Sequence, residues 1–365
     1  ASSAEPFMRQ LRALVVDDSS LNRRMIAAML EELDVVADVR LARDGAEALG
    51  AVEADAPDFI TLDLEMPRLD GFEFLQLLMD RHPIPVVVVS GRCGKESVFR
   101  ALELGAIDFI AKPQDEASPL ESLRRQLVEK VGVIQQLSPL ALRQTSTGSL
   151  DLEPDARPSS ARPREPSVLK RPPAHVVVIG ASTGGPKALV TLFRHLHDEM
   201  DAALVIAQHM PPRFTRTFAE RLHRTGVFRV SEAKTFERLA RGYAYVCPGG
   251  RCIEVVPSDR GPAVRVVAPE GGSHYVPSAN QLFHSASRVL GDKAIGVVLT
   301  GMGDDGADGA ASIADRGGVV LIEDPETAVV AGMPLAVRRT GARHQSLGIW
   351  NLAERIAELT RAPHR

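Results

Sequence analysis

Twice along the chain, short runs of aliphatic and β-branched residues alternate with amphipathic stretches, and this alternation narrows the possible folds more than any other feature. In the first half the runs are LRALVV (11–16), DVVADV (34–39), DFITL (58–62), PVVVVS (85–90) and AIDFIA (106–111). Between them lie stretches with helical spacing, among them LNRRMIAAMLEEL (21–33) and GFEFLQLLMD (71–80). Strand–helix units with short, right-handed connections build a parallel sheet covered by helices on both faces. The spacing therefore predicts a (βα)5 α/β domain over residues 8–135. The second half repeats the pattern with HVVVIGAS (175–182), AALVIAQHM (202–210), RGYAYVCPGG (241–250), AIGVVLTGMGDDG (294–306) and GVVLIED (318–324). A doubly wound, mostly parallel α/β domain is expected over 174–360, and CIEVV (252–256) with AVRVVAP (263–269) reads as a small antiparallel hairpin. Residues 136–173 are rich in Pro, Ser and Arg without a sustained apolar period, the composition of a flexible linker.

Sheets of this kind carry their working groups at the carboxyl ends of the strands. In the first domain those ends are Asp17 and Asp18, Asp63, Ser90 and Lys112. Three carboxylates at one sheet edge repel one another unless they share a hard cation such as Mg²⁺. A lysine beside them can pair with added negative charge, and a hydroxyl can hydrogen-bond a phosphoryl oxygen. With these residue types at matching strand ends, phosphate chemistry is the expectation.

In the second domain the first strand runs into Gly180-Ala181-Ser182-Thr183-Gly184-Gly185. Glycines at this point suit either a phosphate at a helix N-terminus or a sharp turn presenting one hydroxyl. A dinucleotide site needs an acidic residue at the end of the next strand to hold ribose. That strand ends in Gln208-His209, and a histidine serves a serine. The turn LTGMGDDGADG (299–309) adds Asp304, Asp305 and Asp308, without the alternating spacing of a calcium loop. Serine, histidine and aspartate at the ends of parallel strands can converge on one cleft, and the trio points to acyl transfer. The chain order Ser, His, Asp differs from the Ser, Asp, His order of α/β-hydrolases, so another fold is implied.

Composition excludes several classes. A formal charge of −4 offers no broad basic surface, so no nucleic-acid partner is expected. No run approaches the length of a membrane span, and ASSAEPFMRQ carries no signal-peptide pattern, so a cytoplasmic chain without direct membrane insertion is expected. Cys93, Cys247 and Cys252 form no CxxC pair, which argues against a zinc site.

The first domain closely resembles response-regulator receivers, which implies a flavodoxin-like fold. The resemblance makes Asp63 the phosphoacceptor, Asp17 and Asp18 with Asp63 the Mg²⁺ carboxylates, and Glu65 the donor of a backbone carbonyl to the metal. It makes Ser90 the switch hydroxyl, Phe109 the switch aromatic, and Lys112 the phosphate-pairing lysine in a cis-type Lys-Pro. GASTGG, QHMP, GMGDDGA and GMP (332–334) resemble the catalytic domain of the chemotaxis protein-glutamate methylesterases, the CheB family. This implies a phosphorylation-regulated serine esterase acting on glutamate methyl esters, and on certain glutamines, of chemoreceptor signalling helices. Ser182 is then the nucleophile, His209 the general base and Asp305 the orienting carboxylate; Asp304 stands where the family often has Asn. Thr183 and Met302 are the candidate oxyanion-hole N–H donors. The resemblance also implies a sensor histidine kinase as phosphodonor, methylated chemoreceptors as substrate, Mg²⁺ in the receiver and no cofactor for the esterase. In its unphosphorylated state the receiver is expected to cover the mouth near Ser182. Two alternatives are a paralogue serving a non-chemotactic pathway and a phosphorylated scaffold with an inactive esterase domain, which would be silent toward serine-directed fluorophosphonates.

Overall fold

The computed structural model describes residues 10–91, 94–112, 118–137, 171–272 and 274–361, together with the backbone but not the side chain of Ser90. The chain divides into two compact units, residues 1–152 and 153–365.

In the first unit, five strands form a parallel sheet in the order β2-β1-β3-β4-β5. They are β1 (Leu11–Val16), β2 (Val36–Ala42), β3 (Phe59–Leu62), β4 (Val86–Ser90) and β5 (Asp108–Ala111). The helices between and after them are α1 (Ser20–Glu31), α2 (Gly45–Ala54), α3 (Gly71–Arg81), α4 (Lys95–Glu103) and α5 (Pro119–Gln135). Side-chain caps start several of them. Asp44 accepts from the N–H groups of Ala46 and Glu47, and Asp70 from those of Phe72 and Glu73, satisfying donors a helix start leaves over. β3 is buried along its whole length, as a strand covered on both faces must be. β2 begins two residues later than its apolar pattern suggests and is half exposed, because it is the edge strand.

In the second unit, seven strands form a parallel sheet in the order β15-β14-β13-β6-β7-β10-β8. Their ranges are β6 (His175–Ala181), β7 (Ala202–Gln208), β8 (Arg229–Glu232), β10 (Tyr243–Val246), β13 (Ala294–Val298), β14 (Val319–Glu323) and β15 (Gln345–Leu347). The central strands β13, β6 and β7 are almost wholly buried, which explains their unbroken aliphatic runs. The helices are α6 (Gly185–His195), α7 (Pro212–Thr225), α8 (Ala279–Leu290), α9 (Ala307–Asp315), α10 (Gly332–Arg339) and α11 (Ile349–Thr360). The expected hairpin is present as β11 (Cys252–Val256) and β12 (Ala263–Val267), and β9 (Phe236–Arg238) pairs antiparallel with β12 to make a third strand. Strands β8, β9 and β15 escape the sequence pattern because each is only three or four residues long and half polar. Among the described residues, no helix is long and apolar enough to cross a membrane.

Candidate active site

Ser182, His209 and Asp305 follow three neighbouring strands, β6, β7 and β13, so sheet pairing brings residues distant in sequence to one edge. The pairing continues past the strand ends: the His209 N–H donates to the Ala181 carbonyl at 3.0 Å and the Ser182 N–H to the Thr300 carbonyl at 3.0 Å. The serine hydroxyl lies 3.1 Å from His209 Nδ1, and His209 Nε2 lies 2.8 Å from Asp305 Oδ2. The structure thus joins the three side chains in one hydrogen-bonded chain.

Asp305 is buried and its carboxylate accepts from four donors. Oδ1 receives the Ser278 hydroxyl at 3.1 Å and the Asn280 N–H at 2.8 Å; Oδ2 receives the Ala279 N–H at 2.6 Å in addition to His209. These backbone donors belong to the first turn of α8, where the helix dipole also favours negative charge. Burial alone would raise the Asp305 pKa; the bond to His209, its charge, and the two N–H groups outweigh it and hold the carboxyl below its ordinary range. An ionised carboxylate only accepts, so Nε2 carries the imidazole hydrogen and Nδ1 is left to accept from the serine hydroxyl.

A second layer holds the serine turn. The Gln208 side-chain amide donates to the Ser182 carbonyl at 2.9 Å and the His209 carbonyl at 3.0 Å. Thr300 Oγ1 donates to the Thr183 carbonyl at 2.9 Å, and the Thr300 N–H donates to Glu323 Oε2 at 2.7 Å. Glu323 is buried, and this burial pushes its carboxyl up to about 7, with Asp324 adding to the rise and the Thr300 N–H opposing it. Gly301 is required by close approach: a Cβ there would sit 2.7 Å from Ser182 Cβ and overlap the sulfur of Met333. Met302 follows it, half-buried, in the turn that leads to Asp305, and Thr183 is buried beside the serine.

In the first unit, Asp17, Asp18 and Asp63 bring carboxylate oxygens within 4.8 Å of one another. Lys112 Nζ donates to Asp17 Oδ2 at 2.8 Å and to Asp63 Oδ2 at 3.0 Å. Burial, helped by the charge on Asp63, pushes the Asp17 carboxyl up although Lys112 opposes it. For Lys112, burial acts downward and the two carboxylates outweigh it, so its pKa is raised. A hard-oxygen donor set this crowded, with one member buried, fits a small divalent cation. The Glu65 N–H donates to Asp63 Oδ1 at 3.2 Å. Phe109 on β5 is buried. Ser90 ends β4 beside Ala111 of β5, its side chain outside the described atoms. The expected cis bond after Lys112 involves Pro113, which also lies outside the described residues.

Residues 177–356 match the family described as CheB methylesterase, and residues 13–124 match the response regulator receiver domain. The protein-glutamate methylesterase/protein-glutamine glutaminase 6 of Anaeromyxobacter dehalogenans is 43% identical over 363 residues, covering 98% of each chain. The chain belongs to the CheB methylesterase family. A second CheB-family relative, protein-glutamate methylesterase/protein-glutamine glutaminase 1 of Myxococcus xanthus, is 42% identical over 354 residues, covering 96% of this chain and 97% of its own. The crystal structure of the Thermotoga maritima CheB methylesterase catalytic domain shares 34% identity and covers 51% of this chain and 98% of its own, with a TM-score of 0.49.

Tyr275, Ser278, Thr300 and Glu323 also contact the site or its supporting turn, and none of the four is among the residues expected from the sequence. Glu323 left a signal, a carboxylate closing the apolar run GVVLIE, and Ser278 another, the S-x-x-Q spacing to Gln281 that marks a helix start. Tyr275 lies in GGSHYVPS, where no period marks it.

Proposed function

We propose that this chain is a phosphorylation-regulated serine esterase that hydrolyses glutamate methyl esters on chemoreceptor signalling helices and deamidates glutamines there. The observation that carries this reading is the hydrogen-bonded chain from the Ser182 hydroxyl through His209 to buried Asp305. His209 Nδ1 takes the serine proton as Oγ attacks the ester carbonyl, and the charge on the imidazolium is met by Asp305 through Nε2–H. The tetrahedral oxyanion is received by the N–H groups of Thr183 and Met302, one such donor being worth about 10²–10³ in rate. When the intermediate collapses, the C–O bond breaks and the proton on Nδ1 passes to the departing methoxy oxygen, releasing methanol. Water then gives a proton to Nδ1 as its oxygen attacks the acyl-serine; the acyl C–Oγ bond breaks, the proton on Nδ1 returns to Ser182 Oγ, and the carboxylic acid leaves. On a glutamine amide the same steps release ammonia.

Asp63 is the phosphoacceptor, supplied by a sensor histidine kinase in the cytoplasm. Asp17, Asp18 and Asp63, with the Glu65 backbone carbonyl, would hold Mg²⁺, which would supply positive charge to offset that of the phosphoryl group. Lys112 pairs with the added charge, and Ser90 and Phe109 relay the change. The functional division is a receiver over 8–135, a linker over 136–173 and a catalytic domain over 174–360. Mass spectrometry of methylated receptor before and after incubation tests the activity: wild type lowers the receptor mass by about 14 daltons for each ester hydrolysed, and Ser182→Ala leaves it unchanged. Demethylation by Ser182→Ala at the wild-type rate refutes the assignment.

A further inference from the structure

Tyr275 faces the imidazole of His209, with ring centroids 5.3 Å apart and planes 11° from parallel. Its hydroxyl donates to Oδ1 of Asp304 at 3.1 Å, and Asp304 is exposed at the turn after β13. That turn is shaped to admit the ring. Gly303 has φ 89°, and a Cβ on it would overlap the Tyr275 hydroxyl and approach Cζ to 3.0 Å. Two adjacent carboxylates therefore hold the same segment at two points: Asp304 takes Tyr275, while Asp305 takes Ser278, Ala279 and Asn280. His209 is held at its edges by Ser182 and Asp305 and across one face by Tyr275.

We propose that Tyr275 is a positioning residue for the proton transfer, with Asp304 as its tether. Its role rests on His209 acting as the base. An imidazole held by two edge bonds can still rock about the axis joining them, and a parallel ring on one face stops that motion. A misplacement near 1 Å costs about 10²-fold in rate, so the restraint is large enough to matter. The face of an aromatic ring is electron-rich, so it also favours the imidazolium that forms during acyl transfer over the neutral ring that precedes it. Burial raises the phenol pKa of Tyr275, so the ring stays neutral over the working pH range and its hydroxyl stays a donor to Asp304.

The test uses the full chain as wild type, Tyr275→Leu, Tyr275→Phe, Asp304→Ala and Ser182→Ala. Each is assayed for kcat and KM on methylated receptor from pH 5 to 9, with thermal melting as the check on folding. Tyr275→Leu is expected to lower kcat by about tenfold to a hundredfold with KM within about threefold. The acid limb of its kcat profile moves to lower pH, because the imidazolium has lost a partner. Tyr275→Phe keeps the ring and returns kcat to within about fivefold of wild type. Asp304→Ala removes the same hydrogen bond as Tyr275→Phe and falls in the same range. A folded Tyr275→Leu with unchanged kcat and unchanged pH profile, beside an inactive Ser182→Ala, overturns the role of Tyr275. If the leucine variant does not fold, Tyr275→Met, which also removes the ring, decides by the same two readouts. Full activity in Ser182→Ala overturns instead the reading of the site on which the role of Tyr275 rests.

Discussion

Replacing Asp305 by asparagine changes an oxygen for an NH₂ group, yet it reverses the hydrogen-bond sense at the centre of the site. In the wild type Oδ1 serves Ser278 and Asn280, and Oδ2 serves Ala279 and His209. An asparagine whose oxygen stays with Ser278 and Asn280 points its NH₂ at the Ala279 N–H, leaving a buried donor unmet at a cost of about 1–3 kcal/mol. The same NH₂ faces His209 Nε2 and makes it an acceptor, which moves the imidazole hydrogen to Nδ1 and leaves nothing to take the serine proton. A wrong tautomer of this kind costs about 10⁴ in kcat, or roughly 5.5 kcal/mol of transition-state stabilisation. Asp305→Asn should therefore melt only a little lower than wild type while losing nearly all ester hydrolysis, measured by methanol release and fluorophosphonate labelling. Acid sensitivity gives a second readout. A carboxyl with a folded pKa below its unfolded value of 3.8 contributes stability above that value and loses it as pH falls through the folded pKa. Wild type should then lose stability on acidification below pH ~4 more steeply than Asp305→Asn. Hydrolysis by folded Asp305→Asn within tenfold of wild type would refute the orienting role.

Glu323 carries the opposite sign: with its pKa raised from 4.5 to about 7, it contributes stability fully present below pH 4.5 and lost as pH rises through 7. Glu323→Gln should flatten that slope and gain about 3 kcal/mol at pH 8, read from urea midpoints at pH 5 and 8; parallel curves for the two proteins would contradict it. Gly301→Ala should destabilise by about 1–3 kcal/mol and displace the serine, so that kcat falls further than the melting point suggests; wild-type kcat would show that the turn yields freely. Acetyl phosphate with a divalent cation should label the full chain and leave Asp63→Asn unlabelled. A fragment beginning near residue 174 should exceed the unphosphorylated full chain by several-fold to a hundredfold, about 1–3 kcal/mol of coupling, and ignore acetyl phosphate. A folded fragment less active than the full chain would mean that the receiver activates directly.

The strand-end rule explains why so much of the site could be read in advance. Ser182, His209, Asp17, Asp63 and Lys112 each follow an apolar run, and a parallel sheet gathers such positions at one edge whatever the intervening sequence. The choice among Asp304, Asp305 and Asp308 came from family likeness, since three acids in five residues look alike until the register of α8 against that turn is known. Tyr275 and Thr300 were invisible for the same reason. Their partners are 29 residues away for Tyr275 and 117 for the bond from Thr300 to Thr183. Short polar strands such as β9 depend on a neighbour's free edge rather than on their own pattern.

Ser182 and His209 stand 27 residues apart in sequence, whereas His209 and Asp305 are separated by 96. During refolding β6 and β7 can meet through a single helical connection, but β13 must find β6 across most of the catalytic unit, and contacts of such range form slowly. The reactive serine should therefore appear after much of the helical signal has returned. Pulsed with a fluorophosphonate, a refolding population would reveal the moment at which the centre of the sheet closes, with labelling of Ser182 as the clock.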